Sequence, residues 1–505
     1  MHWIDITIVI LFLIGVLLFG TTFRRYVDSS HDYFLAAKML PWWAIGMSIV
    51  VADIGATEYI GMSGGAYRFG LAQANFDWLG CAPAMILGAL IFIPLYWKMG
   101  IYTVPEYLGK RYSQAVRGIE AALWVILLAC LLGIILWASG LVLQTLLGWP
   151  MMLSIIVTAA VVGVYTVSGG LAAVVMTNAL QFVLLMIGAT AILVLGLIQV
   201  GGVGEMVERV TSLGPAYKDH FKLFLQLNTK TPYAWPAIIF GLMMVQSPAY
   251  WLGNQAIIQS ALGSRNEWDA KAGVMWAAFI KLFLPFLIAV PGLIALALYP
   301  SLTDGDLALP TLILNILPAG LKGLVFAAFF AALMSTVACY IESAATMFTS
   351  DLYRRFIKKN APDKHYLFVG RVLTATLMLW GILFAPFSAK FPGIFVALQT
   401  LMSLILPPTF ALLVLGILWR RITRPSGLIG LLSGVIGWTL MFIFKDQLFA
   451  VGDPFLYMAW WSFVLTSVVT IIVSLLTQPE SEESLAGLVF GVKRSSLQAD
   501  TGVES

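Results

Sequence analysis

The chain has 505 residues, 60% of them hydrophobic and 11% charged, with a mean hydropathy of +0.92 and a net charge of +4. A soluble chain of this length cannot hide so much apolar surface, so the composition leaves a polytopic membrane protein as the class that fits. The total charge decides nothing further, because in such proteins the placement of Lys and Arg carries the information.

The first apolar run, Asp5 to Gly20, has no basic residue before it and is followed by Arg24 and Arg25. That pattern argues against a cleaved signal peptide and for a retained first span with its N-terminus outside. A bilayer core takes about 20 apolar residues as helix. Thirteen runs meet this, near 4–22, 41–63, 75–97, 118–146, 150–167, 173–199, 233–260, 272–299, 319–349, 367–386, 391–418, 425–445 and 457–477. With the N-terminus outside, every second loop is cytoplasmic. Those loops hold most of the 29 Lys and Arg, including Lys98, Lys110, Arg111 and the cluster from Arg354 to Arg371. A miscount by one helix would scramble this asymmetry. The expected organisation is a leading span and loop (1–40), a five-helix repeat (41–199), an external loop (200–232), a second five-helix repeat (233–418), two peripheral spans (419–477) and a tail (478–505). The tail is polar and is expected to be disordered and cytoplasmic. Cys81, Cys130 and Cys339 all fall in apolar runs and read as small hydrophobes, with no disulfide framework.

The second run reads MSIVVADIGATEYIGMSGG from Met47 to Gly65, with Gly55, Gly61, Gly64 and Gly65 inside it. The seventh contains SPAYWLGNQ, Ser247 to Gln255, with Pro248 and Gly253. Both interrupt an apolar segment, and five spans separate them, so they cross in opposite directions. Interrupted helices at matching places of two inverted repeats point to a secondary transporter's midplane site. Irregular backbone at that depth is tolerated only where it lines a cavity or is buried in protein. The plainer reading of any one Gly is close helix packing, and that is the reading taken for Gly430 and Gly434 in the twelfth run.

Five ionisable residues fall at hydrocarbon depth: Asp53, Glu58, Asp77, Lys281 and Glu342. Each costs a few kcal/mol there unless paired or wet. Asp53 and Glu58 lie about 500° apart on a regular helix and would not share a face. Unwinding near Gly55 lifts that constraint and lets both reach one cavity. Asp53 has a second reading, as the cap of a half-helix starting near Gly55. Lys281 reads equally as a structural partner of these acids or as a solute contact. Glu342 is expected to pair with a neighbouring helix and is left outside the site. The ninth run, FAALMSTVACYIESAATMFTSD from Phe330 to Asp351, sets Ala332 one turn before Ser335 and Thr336. The Ala332 carbonyl and the two hydroxyls converge on one point. Sodium is a hard cation that takes oxygen ligands, and unwound carbonyls of the second run would supply more. The rival is ordinary back-bonding of each hydroxyl to its own helix.

These stretches resemble the sodium/solute symporter family. The likeness runs from about Asp5 to Leu476 and rests on IGMSGGAYRFGL (60–71), GIYTVPEYLGKRY (100–112), YTVSGGLAAVVMTNALQ (165–181), YWLGNQAIIQ (250–259), AAFIKLFLPFLIAVPGLIA (277–295) and MSTVACYIESAATMFTSDLY (334–353). The resemblance implies a LeuT-like, all-α fold of two inverted five-helix repeats, here the second to eleventh spans. It implies a sodium ion held by the carbonyls of Val51, Ile54 and Ala332 and the hydroxyls of Ser335 and Thr336. Asp53 matches an acid that the proline carriers hold beside this site. Tyr250 matches the aromatic inner gate of the sugar carriers, with Trp251 and Asn254 beside it. Lys281 and Gln399 fall at sugar-contacting positions, and Asp77 falls where those carriers hold Glu. The chain departs at Thr57 and Glu58, where they have Glu and Gln, and at Leu131, which replaces a contacting Asn. Asn178 stands where members with a second sodium carry Asp, so one sodium per solute is expected.

The function expected is sodium-coupled import of a small polar solute by alternating access, with sugar or polyol ahead of an amino acid or other organic ion. The partners are the solute, sodium and the lipid bilayer of the cell membrane, inner or plasma, with no nucleic acid. A non-transporting sensor of the same fold is the rival from another class, but a tail of about 28 residues is too short for a signalling domain. No enzyme is expected: no nucleophile–base pair appears, and His2, His31, His220 and His365 all lie outside the spans.

Overall fold

Within hydrocarbon no water is present to bond a free N–H or C=O, so an apolar chain satisfies its backbone inside helices. The computed structural model, which describes residues 2–23, 29–390 and 394–492, is nearly all helical. Only two isolated bridges, Leu40 with Ser264 and Leu225 with Ala234, lie outside that pattern among the described residues. Arg24, Arg25, Lys493 and Arg494, which enter the charge asymmetry, lie outside the described residues.

Ten of the described helices are long and apolar enough to cross a membrane, and a bent pair at Trp42–Asp53 raises that to eleven. The two other expected spans appear as shorter apolar helices, Met151–Val164 and Ala237–Gly253. Gly170 marks a kink in the helix Met151–Val200: its φ is 57, and a side chain there would strike the backbone of Tyr33.

Helix α1, Trp3–Thr22, presents Ile10, Leu11 and Leu18 outward, yet its Asp5 is buried. Asp5 Oδ1 accepts from the backbone N–H of Gly320 (2.7 Å) and Gly323 (2.8 Å), at the start of the helix Leu321–Met347. A carboxylate at a helix N-terminus satisfies orphan donors and meets the positive end of the helix dipole. Helix α2, Ser30–Leu35, is short. Three left-handed residues follow it, Ala36, Ala37 and Lys38 (φ 50, 50 and 53). None is glycine, so each stores on the order of 1–3 kcal/mol of strain. Then come α3, Trp42–Asp53, and α4, Ala56–Phe69.

The helix Leu321–Met347 is the most enclosed of the spans, packed along Met151–Val200 and Gln114–Leu147. At the periphery, Gly430 and Gly434 of Arg424–Ile443 admit Thr470 and Thr466 of Phe455–Leu476, and Ser462 Oγ donates to Gly434 O at 3.1 Å. These glycines do serve close packing. The tail departs from expectation as far as Val492: Leu485 and Val489 are buried, Tyr107 donates to Leu488 O (3.2 Å) and Phe490 N to Ile417 O (2.8 Å). The apolar residues of LAGLVFGV, 485–492, give this stretch something to bury, which the polar composition of the whole tail conceals.

Candidate functional site

The break between α3 and α4 bends the chain by 54°. Ile54 leaves helical geometry (φ −79, ψ 53) and Gly55 is extended. A side chain at Gly55 would collide with the Thr336 hydroxyl, so glycine is what lets the two helices meet here. The carbonyls freed by the break find partners across that contact. Ser335 Oγ donates to Val51 O at 2.8 Å, and Thr336 Oγ1 to Ala52 O at 3.0 Å and to Ala332 O at 3.2 Å. Ser335 thus reaches across to the broken helix. Val51, Ala332, Ser335 and Thr336 converge as expected. Ala52 joins them, a carbonyl the sequence reading did not single out. Ile54 sits at the break with its N–H on Val50 O (2.9 Å).

Asp53 does not cap α4: the cap position is Gly55, which has no side chain to offer, and the Asp53 carboxylate instead pairs with Lys281. Lys281 Nζ also donates to Asp77 Oδ1 at 2.9 Å and lies 5.6 Å from the Trp251 ring centroid. All three members of this triad are at least nine-tenths buried. Lys281 is thus a partner of both acids. Asp77 sits on a π-helical turn, Phe76–Cys81, of the kind that re-aims side chains at functional sites.

In front of this triad lies a cavity of about 30 Å³, lined in part by Asp53, Glu58, Asp77, Tyr250, Trp251 and Gln399. Asp53 and Glu58 do reach one cavity once the helix breaks. Tyr250 and Trp251 meet edge to face at 5.3 Å. Gln399 accepts from Gln246 Nε2 at 3.2 Å. Gln246 and Ser247, which also line the cavity, were not anticipated; their position directly before Pro248 in the interrupted seventh run was the available signal. Asn254 is the break itself: the helix Ser247–Gly253 stops, Asn254 is extended (ψ 115), and Gln255–Leu262 begins. It is fully buried and does not line the cavity. Asn178 donates to Ser48 Oγ (2.9 Å) and Cys339 Sγ (3.4 Å). Glu342 departs from expectation: it is buried, and neither carboxylate oxygen has a hydrogen-bond partner among the described residues.

Residues 33–434 match the model of the sodium:solute symporter family. The chain belongs to this family. A sodium/glucose cotransporter from Vibrio parahaemolyticus is 32% identical over 499 residues, covering 94% of this chain and 91% of the relative. A human sodium/myo-inositol cotransporter is 31% identical over 550 residues, covering 97% of this chain and 76% of the relative. In structure, a sodium-coupled sialic acid symporter in a substrate-bound outward-open state superposes with a TM-score of 0.84 at 21% identity, covering 95% of this chain and 99% of that one. A nucleobase-cation-symport-1 family transporter in a closed conformation reaches 0.57 at 13% identity, covering 92% and 99%. These likenesses give the fold, which is LeuT-like. As a member of this family, the protein is a multi-pass membrane carrier coupled to sodium and not an enzyme.

Proposed function

We propose that this symporter carries a sugar or polyol with one sodium ion. The observation that supports this most directly is the junction at Gly55. On one side neutral oxygens of Val51, Ala332, Ser335 and Thr336 gather within hydrogen-bond reach; on the other begins a cavity lined by Glu58, Gln399 and the rings of Tyr250 and Trp251. In our reading Ile54 O completes the sodium shell when the ion draws the hydroxyls away from the carbonyls they now donate to. Sodium then holds α3 and the helix Leu321–Met347 together, and the solute site forms beside the break. Gln246, Ser247, Gln399 and Glu58 offer the donors and acceptors that a polyhydroxylated solute needs, and Trp251 offers a face for its C–H surface. Relatives named for glucose and myo-inositol support the same class.

A cavity of 30 Å³ holds about two water molecules and no hexose, so the cavity must widen and close within each cycle. Sodium drives that cycle because it binds one state better than the other, and one charge moving down 100 mV adds about 2.3 kcal/mol. The reading includes thirteen crossings, an external N-terminus, a cytoplasmic C-terminus and inverted repeats at 41–199 and 233–418.

One observation favours a second reading. Glu58 adds a carboxylate to a cavity also lined by Asp53 and Asp77, whose shared partner Lys281 is already committed to those two. A solute bearing an ammonium group would use that charge. The test is uptake into proteoliposomes driven by a sodium gradient, comparing labelled glucose, galactose, myo-inositol and proline, in wild type and Glu58→Gln. Uptake of a neutral polyol that survives Glu58→Gln supports the first reading. Uptake of the amine alone, abolished by Glu58→Gln, replaces it with the second.

A further inference from the structure

Seven residues beyond Ser335, two turns and about 10 Å along the same face of the helix Leu321–Met347, stands Glu342. It is 1% exposed, and both its oxygens are unpartnered among the described residues. A bare carboxylate at such depth costs several kcal/mol, and an un-ionised one far less.

Among the described residues no cation pairs with it. The titratable groups within electrostatic reach are Tyr33 of α2 and Cys339 on its own helix. The facing helix Met151–Val200 contains no Asp, Glu, Lys, Arg or His, its one phenol being Tyr165, and Gln255–Leu262 contains no ionisable residue. From the other packed elements, Arg117 pairs with Asp351, Glu120 with Trp124 and Thr409, Asp53 with Lys281, and Asp5 with Gly320 and Gly323. On α4, Glu58 lines the solute cavity and Arg68 pairs with Asp304. Arg371, of Asp363–Phe384, lies over the Tyr33 ring at 5.9 Å.

Helix α2 is held in place by a few named contacts. Tyr33 is wholly buried and reaches Thr166 O (3.3 Å) and Thr374 Oγ1 (3.4 Å), and Phe34 O accepts from Gln259 (2.9 Å). Its only described link to α3, the first half of the broken helix, is the strained left-handed turn Ala36–Lys38. Rotation of those three residues back to ordinary backbone would release strain and move α2.

We propose that Glu342 is a proton-binding site beneath α2: protonated while α2 is packed, and ionised, its proton passing to water, when α2 lifts and the pocket wets. Opening at the Asp351 end of the helix is then linked to proton release, and high pH on that side favours it.

The test uses full-length protein in lipid. Infrared spectra report the carbonyl stretch of an un-ionised carboxylic acid. A band that is present in wild type, absent in Glu342→Gln and lost at high pH is expected. In parallel, alkylation of the buried Cys339 by N-ethylmaleimide, read by peptide mass spectrometry to separate Cys81 and Cys130, reports opening. The ratio of wild-type to Glu342→Gln rates should rise with pH, by up to about tenfold per unit for one released proton. If Glu342→Gln does not fold, Glu342→Asp serves: the band and the profile are displaced, not lost. A flat ratio, or a carboxylate already ionised at neutral pH in the closed protein, overturns the proposal; the latter would mean that a metal cation sits there instead.

Discussion

The two sides of the α3–α4 break solve opposite electrostatic problems. On the side we propose for sodium every group is neutral: hydroxyls of Ser335 and Thr336 donate to carbonyls of Val51, Ala52 and Ala332. On the side we propose for the solute there are charged groups, but Asp53, Lys281 and Asp77 are committed to one another. A cation that must be released every cycle is better served by dipoles that re-pair when it leaves. Fixed charges do the opposite work, holding three helices in register because separating them would strand an ion in low dielectric. The comparison suggests a division of labour in which the dipoles handle coupling and the triad handles architecture.

Breaking the triad is expected to have the largest effect. Lys281→Met leaves two buried carboxylates facing each other, and should destabilise the protein by about 3–5 kcal/mol, seen as a large drop in the thermal midpoint in detergent. A midpoint within the error of wild type would show the triad to be dispensable. Next comes Ser335→Ala. Sodium at a hundred times its dissociation constant stabilises the folded state by about 2.7 kcal/mol. The variant should lose that increment while unfolding in potassium within about 1 kcal/mol of wild type. Equal sodium shifts in both proteins would move the ion elsewhere.

The polarity of Asn178 sharpens the contrast further. Asn178→Asp places a carboxylate between Ser48 and Cys339, and should raise the sodium Hill coefficient of uptake above that of wild type. An unchanged coefficient would mean that the neutral amide is not what limits the stoichiometry. The smallest effect is expected far from both sites. His220 is held below its usual range by burial, and its backbone carbonyl accepts from Leu71 N. The unfolded loop therefore binds the proton more readily than the folded one. The stability His220 contributes is complete above its ordinary value of 6.5 and is lost as pH falls below it. Proteolysis of the 201–231 loop should quicken below that pH, with sodium affinity unaltered.

Sequence carried the local parts of this arrangement. Gly55 beside Asp53 and Glu58 announced a break, and adjacent hydroxyls at Ser335 and Thr336 announced an oxygen cluster, because each depends on neighbours within a turn or two. What escaped depends on contacts between distant segments. Nothing near Lys281 states that both acids face it. Asp5 reads as the harmless edge of a first span until Gly320 is placed above it. The Ala52 carbonyl, shared by every residue type, has no sequence signature. The folded part of the tail was missed for another reason: a short apolar stretch inside a polar segment is outweighed when composition is averaged.

The tie between Asp5 and Gly320 also sets an order of assembly. The two partners are 315 residues apart. At about 5–20 residues per second of synthesis, the first helix waits roughly 15–60 s before the N–H groups that Asp5 accepts from exist. During that interval the only described side-chain partner of Asp5 is local, the His2 N–H at 3.0 Å, near the helix end where interfacial water is within reach. The earliest helix to enter the membrane can pack on Met151–Val200 first, but completes its contacts only once the central helix has been made. Its closure onto Leu321–Met347 would serve as a signal, readable by crosslinking a nascent chain, that the central helix has been inserted the right way round.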